Sequence, residues 1–175
     1  MIEILPLSPE EYSGRVYHAR YRSDRALTLD PVPEGFSMHW VSVPDAPEAD
    51  VSDAMLAGWW DSPVGFGAFR EGKLIGFVDG FHEKWNNRFR ITNLAVFDPA
   101  DRRSGTGAML MERIEREAVS CGARMTVLET CTANFPAVCF YEKHGYTVIG
   151  FDRYAYSNRG PEEHNMRLEM GKMLP

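Results

Sequence analysis

The passage from Val96 to Gly107 constrains this chain most, because a strand, a glycine-bearing turn and a helix follow one another there without a break. Asp98-Pro99-Ala100-Asp101 stops the strand, and the polar run Arg102-Arg103-Ser104-Gly105-Thr106-Gly107 leads into the helix. In that helix Leu110, Ile114, Ala118 and Cys121 recur at four- and three-residue spacing, with Glu112, Arg113, Glu115, Arg116 and Glu117 on the wet side. Gly122 suits a left-handed C-terminal cap. The start of such a helix presents unpaired N–H groups and the positive pole of the macrodipole, which favours a phosphate or pyrophosphate. Gly105 and Gly107 allow close approach, Arg102 and Arg103 add charge, and the first turn from Thr106 to Met109 contains no Asp or Glu. On spacing alone the plainer alternative stays open, in which both glycines serve a tight turn and the arginines are solvated. There is no Gly-x-Gly-x-x-Gly, and no Lys follows the second glycine, so neither the dinucleotide nor the nucleoside-triphosphate fingerprint fits.

The rest of the chain supplies a sheet for this helix to cover. Ile2, Ile4 and Leu5 read as a first strand, and Ser8, Pro9, Glu10 and Glu11 as the capped, acidic start of a helix. Val64 to Arg70 and Lys73 to Glu83 are β-rich runs joined by a Glu71-Gly72 hairpin turn, and Arg88 to Phe97 continues as a third. Met125, Val127 and Leu128 form a strand, Asn134 to His144 a helix ended by Gly145, and Tyr146 to Tyr156 and Met166 to Met170 two more β runs. From Asp30 to Asp61 the pattern dissolves among Pro31, Pro33, Pro44 and Pro47, and the reading is a loop region with one short helix near Val51 to Trp60. This stretch holds seven carboxylates and no Lys or Arg, a formal −7 against −6 for the whole chain. The order implies a single α/β domain over residues 1–175, a central mixed, mostly antiparallel twisted sheet flanked by helices.

Composition narrows the function classes. At 175 residues, 44% apolar and 25% charged, the chain has the makings of one globular core. With 19 Lys and Arg against 25 Asp and Glu, nothing global draws it to nucleic acid or an anionic membrane. Cys121, Cys131 and Cys139 form no Cys-x-x-Cys pair, which disfavours a disulfide framework and a zinc site; no metal is expected. No basic leader or long apolar window is present, and a cytoplasmic protein is expected. A homodimer would be unsurprising.

The second chemical feature begins at Leu128-Glu129-Thr130. Asn134 is placed as an N-cap, Pro136 fits the first turn, and Ala137, Phe140, Tyr141 and His144 share one helical face. A strand ending in Leu94-Ala95-Val96, then Arg102-x-x-Gly105-x-Gly107, then a strand ending in Leu128-Glu129, then Asn134-x-x-Ala137-x-x-Phe140-Tyr141-x-x-x-Gly145-Tyr146 resembles the GNAT superfamily of acetyl-CoA-dependent N-acyltransferases. Together these motifs extend over about half of the chain. The closing Tyr156-Ser157-Asn158 and Met166-Arg167-Leu168-Glu169-Met170-Gly171 further resemble small bacterial members near the streptothricin acetyltransferases.

The resemblance implies a V-shaped splay and a bulge between central strands, with the pantetheine arm pairing with backbone at Leu94, Ala95 and Val96. It places the coenzyme A pyrophosphate on Arg102, Arg103, Ser104, Gly105, Thr106, Gly107 and Ala108, and further cofactor contacts at Asn134, Ala137 and Phe140. A bulge N–H would steady the oxyanion, and Tyr141 would act as general acid toward the departing thiolate. Many relatives carry an acid two residues before the position of Ala95, whereas this chain has Asn93, which cannot take a proton. Glu129, matching the base position of the ribosomal-protein N-terminal acetyltransferases, is the better candidate; Glu83, His82 and water compete with it. The implied acceptor is a small cationic primary amine or a protein N-terminus, and the acidic, tryptophan-bearing Asp30 to Asp61 stretch could attract it, although for most of those carboxylates the better reading is a solvated surface loop with Trp59 and Trp60 in the core. A non-catalytic acyl-CoA-binding or sensing module is the alternative.

Overall fold

The computed structural model describes residues 1–45, 48–102 and 104–175. In chain order the elements are β1 (Ile2–Pro6), α1 (Pro9–Tyr12), β2 (Val16–Arg22), β3 (Arg25–Val32), β4 (Gly35–Ser42), β5 (Glu48–Ala54), β6 (Val64–Arg70), β7 (Lys73–Glu83), β8 (Arg88–Val96), α2 (Pro99–Arg102), α3 (Thr106–Ser120), β9 (Met125–Cys131), α4 (Phe135–Lys143), β10 (Thr147–Asp152) and β11 (Arg167–Met173). The large sheet is mostly antiparallel, as expected. Contacts group the chain into two compact units, one of Met1–Arg20, Asp50–Val127 and Met173–Pro175, the other of Tyr21–Ala49 and Leu128–Lys172.

In the first unit the strands run in the order β1-β6-β7-β8, followed by the start of β9, and β2 pairs with β5 in a separate ribbon. The β6–β7 connection works because Glu71 and Gly72 both take positive φ, 51° and 75°, the backbone twist that a two-residue hairpin turn requires. β7 and β8 approach so closely that a Cβ on Gly76 would lie 2.6 Å from the Ala95 carbonyl oxygen. Between Asp79 opposite Asn93 and Gly80 opposite Ile91 the register slips by one residue, leaving Thr92 as the extra residue of a bulge in β8. Helix α3 buries Leu110, Met111, Ile114 and Ala118 and packs on β1, β6, β7 and β8. Each of these larger side chains contributes roughly 2 kcal/mol of transfer free energy, before conformational entropy is counted. Cys121, expected on the apolar face, is exposed just past the helix end, and Arg113, expected in water, lies over the Phe66 ring at 3.7 Å. Leu7, Tyr12, Tyr17, Met55, Leu56, Phe77 and Ala95 form a further cluster in this unit.

In the second unit the end of β9 neighbours β11, and β11 pairs antiparallel with β10. β3 and β4 make a long hairpin from Arg25 opposite Ser42 to Val32 opposite Gly35. Trp40 and the Arg25 guanidinium both pack on the ring of Phe135, in the first turn of α4.

The loop reading fails. The Asp30 to Asp61 stretch is largely strand, covering the end of β3, β4 and β5, and no helix forms over 51–60. Its prolines sit where a two-stranded ribbon tolerates them: Pro31 lies near the hairpin end and Pro33 in the connection. Pro47, part of that loop reading, lies outside the described residues. The first helix forms where expected, with Ser8 at the N-cap, Pro9 opening it and Glu10 and Glu11 in its first turn, but it is only four residues long, and the expected Ser8 cap bond is absent because its hydroxyl donates to Glu10 at 2.5 Å. The chain then continues directly into β2. Among the described residues, no helix is long and apolar enough to cross a membrane.

Candidate active site

Helix α3 opens without a side-chain cap. Gly105 stands at the N-cap with φ +84°, a left-handed conformation natural to glycine, and the first backbone bond into the helix is Met109 N–H to Gly105 oxygen at 3.1 Å. The N–H groups of Thr106, Gly107 and Ala108 have no acceptor among the described residues; Ala108 is exposed and Gly107 half-buried, whereas Thr106 is fully buried. Among the described residues no carboxylate accepts from them: Asp101, the nearest buried acid in sequence, accepts from Arg70. The turn is braced from behind by Ser104, whose hydroxyl donates to the Asp101 carbonyl at 2.6 Å and lies 2.7 Å from the hydroxyl of the fully buried Thr106. Arg102 is exposed and donates to the Val96 carbonyl oxygen at 3.2 Å, linking the end of β8 to the turn. Arg103, assigned to the anion site from the sequence, lies outside the described residues. Uncapped N–H groups, an acid-free first turn and an exposed arginine suit a diphosphate.

Leu94, Ala95 and Val96 close β8 beside that turn, with Ala95 buried and its neighbours half-buried. Below them the bulge is held by a carboxylate that sequence reasoning passed over. Asp79 is 1% exposed and accepts from the Thr92 hydroxyl at 2.6 Å and the Leu56 N–H at 2.7 Å. Burial pushes its carboxyl up from the ordinary range, partly offset by those donors and by Asn93. Asn93 in turn accepts from the Tyr17 hydroxyl at 2.9 Å. A lone carboxylate in the apolar run Leu74 to Phe81 was the available signal. Glu83 is engaged by Arg88, Arg90 and Asn86; burial alone would raise its carboxyl, but these partners outweigh it and hold it below the usual range. His82 lies 2.8 Å from the Asn87 side-chain oxygen.

The second unit holds the other group of candidate residues. Asn134 caps α4, its side-chain oxygen accepting from Ala137 N–H at 3.3 Å, so the cap leaves its amide NH2 uncommitted. Phe140 packs edge-on against Tyr141 and lies tilted against the His144 ring at 4.2 Å. His144 is a helix-end residue, its Nδ1 2.7 Å from the Phe140 carbonyl oxygen. Tyr141 is buried, and its hydroxyl makes no hydrogen bond among the described residues. Burial, with a smaller contribution from Cys131, pushes that hydroxyl up to about 12, so it carries its proton throughout the neutral range. Glu129 is exposed near the end of β9 and accepts from the Tyr156 hydroxyl at 2.8 Å, with an Arg167 guanidinium nitrogen 3.9 Å from its other oxygen. All seven carboxylates of the Asp30 to Asp61 stretch are exposed. Trp59 is 69% exposed rather than buried, and Trp60 stacks on Phe81 at 4.7 Å. All three cysteines are free, and no described group of His, Cys, Asp and Glu side chains could hold a metal.

Comparison with known proteins places the chain in a family. The acetyltransferase (GNAT) family model matches residues 33–146, and the chain belongs to that family, whose acyl donor is acetyl-CoA. Streptothricin acetyltransferase of Escherichia coli is 32% identical over 94 residues, 54% of this chain and 53% of that protein, so the match spans about half of that curated relative. Among solved structures, a nourseothricin acetyltransferase superposes with a TM-score of 0.76 at 22% identity, covering 99% of both chains. A protein described as a streptothricin acetyltransferase of Bacillus anthracis strain Ames, solved in complex with acetyl coenzyme A, superposes at 0.78 with 19% identity over 100% of this chain and 98% of its own. At those identities the likeness is one of fold.

Proposed function

We propose that residues 1–175 act as one N-acetyltransferase domain that moves the acetyl group of acetyl-CoA to a small, cationic primary amine of the streptothricin kind. The uncapped, acid-free start of α3 carries this reading: Thr106, Gly107 and Ala108 offer three N–H groups to the diphosphate, with Arg102 and Arg103 adding charge. The backbone of Leu94, Ala95 and Val96 aligns the pantetheine arm, and Asn134, Ala137 and Phe140 add contacts from α4. Acetyl-CoA supplies the activated acyl thioester. Tyr141, protonated at neutral pH, donates toward the departing sulfur, and Glu129 takes the ammonium proton of the acceptor. The bulge at Thr92, fixed by Asp79, directs backbone N–H groups of β8 toward developing oxyanion charge.

The acceptor class is supported by the named relative and by the seven exposed carboxylates of residues 30–61, which attract a polycation. The test is thiol release from acetyl-CoA with streptothricin, an aminoglycoside, a polyamine, free amino acids and a short peptide. Streptothricin should give the highest kcat/KM and the peptide the lowest. A peptide preferred over every small amine would overturn the acceptor assignment, and a flat panel would favour a protein that only binds acyl-CoA.

A further inference from the structure

The link between β10 and β11 carries Tyr156 and is fastened at several points to the end of β9, the strand that carries Glu129. Thr132, fully buried just past β9, donates its hydroxyl to the His164 carbonyl at 2.7 Å, and the Thr132 hydroxyl oxygen accepts from Met166 N–H at 2.9 Å. Backbone bonds from Thr132 N–H to the Met166 carbonyl, 2.8 Å, and from Asn165 N–H to the Gly160 carbonyl, 2.9 Å, close the link on itself. Gly160 is pressed against the neighbouring backbone so tightly that a Cβ there would lie 2.2 Å from the Arg153 oxygen. Ser157, next to Tyr156, donates to Glu163 at 2.9 Å. A segment held this way can place one side chain reproducibly without belonging to a helix or strand.

We infer that Tyr156 is a positioning residue for Glu129. Its hydroxyl donates to one carboxylate oxygen at 2.8 Å and fixes the rotation of the group, so that the other oxygen is presented to the acceptor amine. Arg167 lies 3.9 Å from that second oxygen and 4.0 Å from Asp152, too distant to fix the carboxylate alone. A free glutamate with three rotatable bonds would meet the incoming ammonium in the right orientation only part of the time; a second anchor removes that freedom. Tyr156 is itself 44% exposed, and its partial burial together with the hydrogen bond to Glu129 and the Glu129 charge pushes its ionisation well above that of an ordinary phenol, keeping the donor proton in place. This inference rests on Glu129 acting as the base, and goes beyond it by assigning the group that aims it.

The test uses the full chain as wild type, Tyr156→Phe, Glu129→Gln and the double variant, with acetyl-CoA and streptothricin. Y156F keeps the ring and should lower kcat roughly 10- to 100-fold, with little change in the KM for acetyl-CoA. In the E129Q background the same substitution should cost nothing more. Independently of turnover, the Tyr156 ring-carbon NMR signal at neutral pH, assigned by its loss in Y156F, should shift in E129Q, because a hydrogen bond to a carboxylate has become one to a neutral amide. Losses that multiply across the double variant, or an unchanged Tyr156 signal, would overturn the positioning role. E129Q protein with full kcat would instead overturn Glu129 as base, the reading beneath it.

Discussion

Replacing Tyr141 by Phe should lower kcat for acetyl transfer by about 10²- to 10³-fold while leaving acetyl-CoA affinity within about twofold. The ring is buried and packs against Phe140 and Tyr146, and Phe preserves those contacts. What the variant loses is one proton donor with no other hydrogen bond among the described residues, so no buried acceptor is left unsatisfied and the fold should tolerate the change. The size of the effect follows from the hydroxyl's acidity. At about 12 it is a weaker acid than a free thiol, so complete transfer to a thiolate is uphill. Tyr141 therefore acts through a hydrogen bond that strengthens as negative charge grows on sulfur, and that bond is worth more in the reaction than in the resting complex. A protein that only binds acyl-CoA would show no turnover to lose.

Ala108→Glu separates the anion site from a merely structural turn, because stability and binding should move in opposite directions. Ala108 is exposed in the first turn of α3, where a carboxylate meets the positive pole of the helix and adds about 0.3 to 1 kcal/mol of stability. The same charge, roughly 5 Å from a bound diphosphate, opposes it by on the order of 3 kcal/mol per charge before salt screening. The Kd for acetyl-CoA should rise at least about tenfold while Tm holds or rises slightly, with calorimetry and thermal denaturation as the two readouts. An unchanged Kd would mean that the uncapped N–H groups of Thr106, Gly107 and Ala108 serve no ligand.

The parts of this molecule that the sequence announced are those in which local chemistry and tertiary packing agree. Glu71-Gly72, Gly105, Gly122 and Gly145 all take positive φ where a turn or helix end was expected, and Asn134 caps the helix it precedes. The ribbon strands escaped notice for a physical reason. β4 is exposed along most of its length, so it lacks the inside-outside alternation that marks a half-buried strand, and β3 buries Ala26 to Leu29 as a continuous run. Ser8, Pro9 and a pair of glutamates form a strong helix start, yet nothing beyond Tyr12 sustains the helix, and Val16 to Arg22 is taken up by pairing with β5. In the candidate site, Tyr141 and Glu129 were legible through a resemblance, since each lies within a compact motif. The Tyr156 contact was not, because it joins residues 27 apart through a turn-rich link whose path depends on Thr132 and Gly160. Asp79 was hidden for a similar reason, as its partners Leu56 and Thr92 come from separate segments.

The most direct measurement of the central claim is a titration of 15N-labelled protein with coenzyme A, following the backbone amides of Thr106, Gly107 and Ala108. Saturable downfield shifts of these three signals are expected as their protons meet the diphosphate. Saturable binding that left all three unmoved would contradict the account.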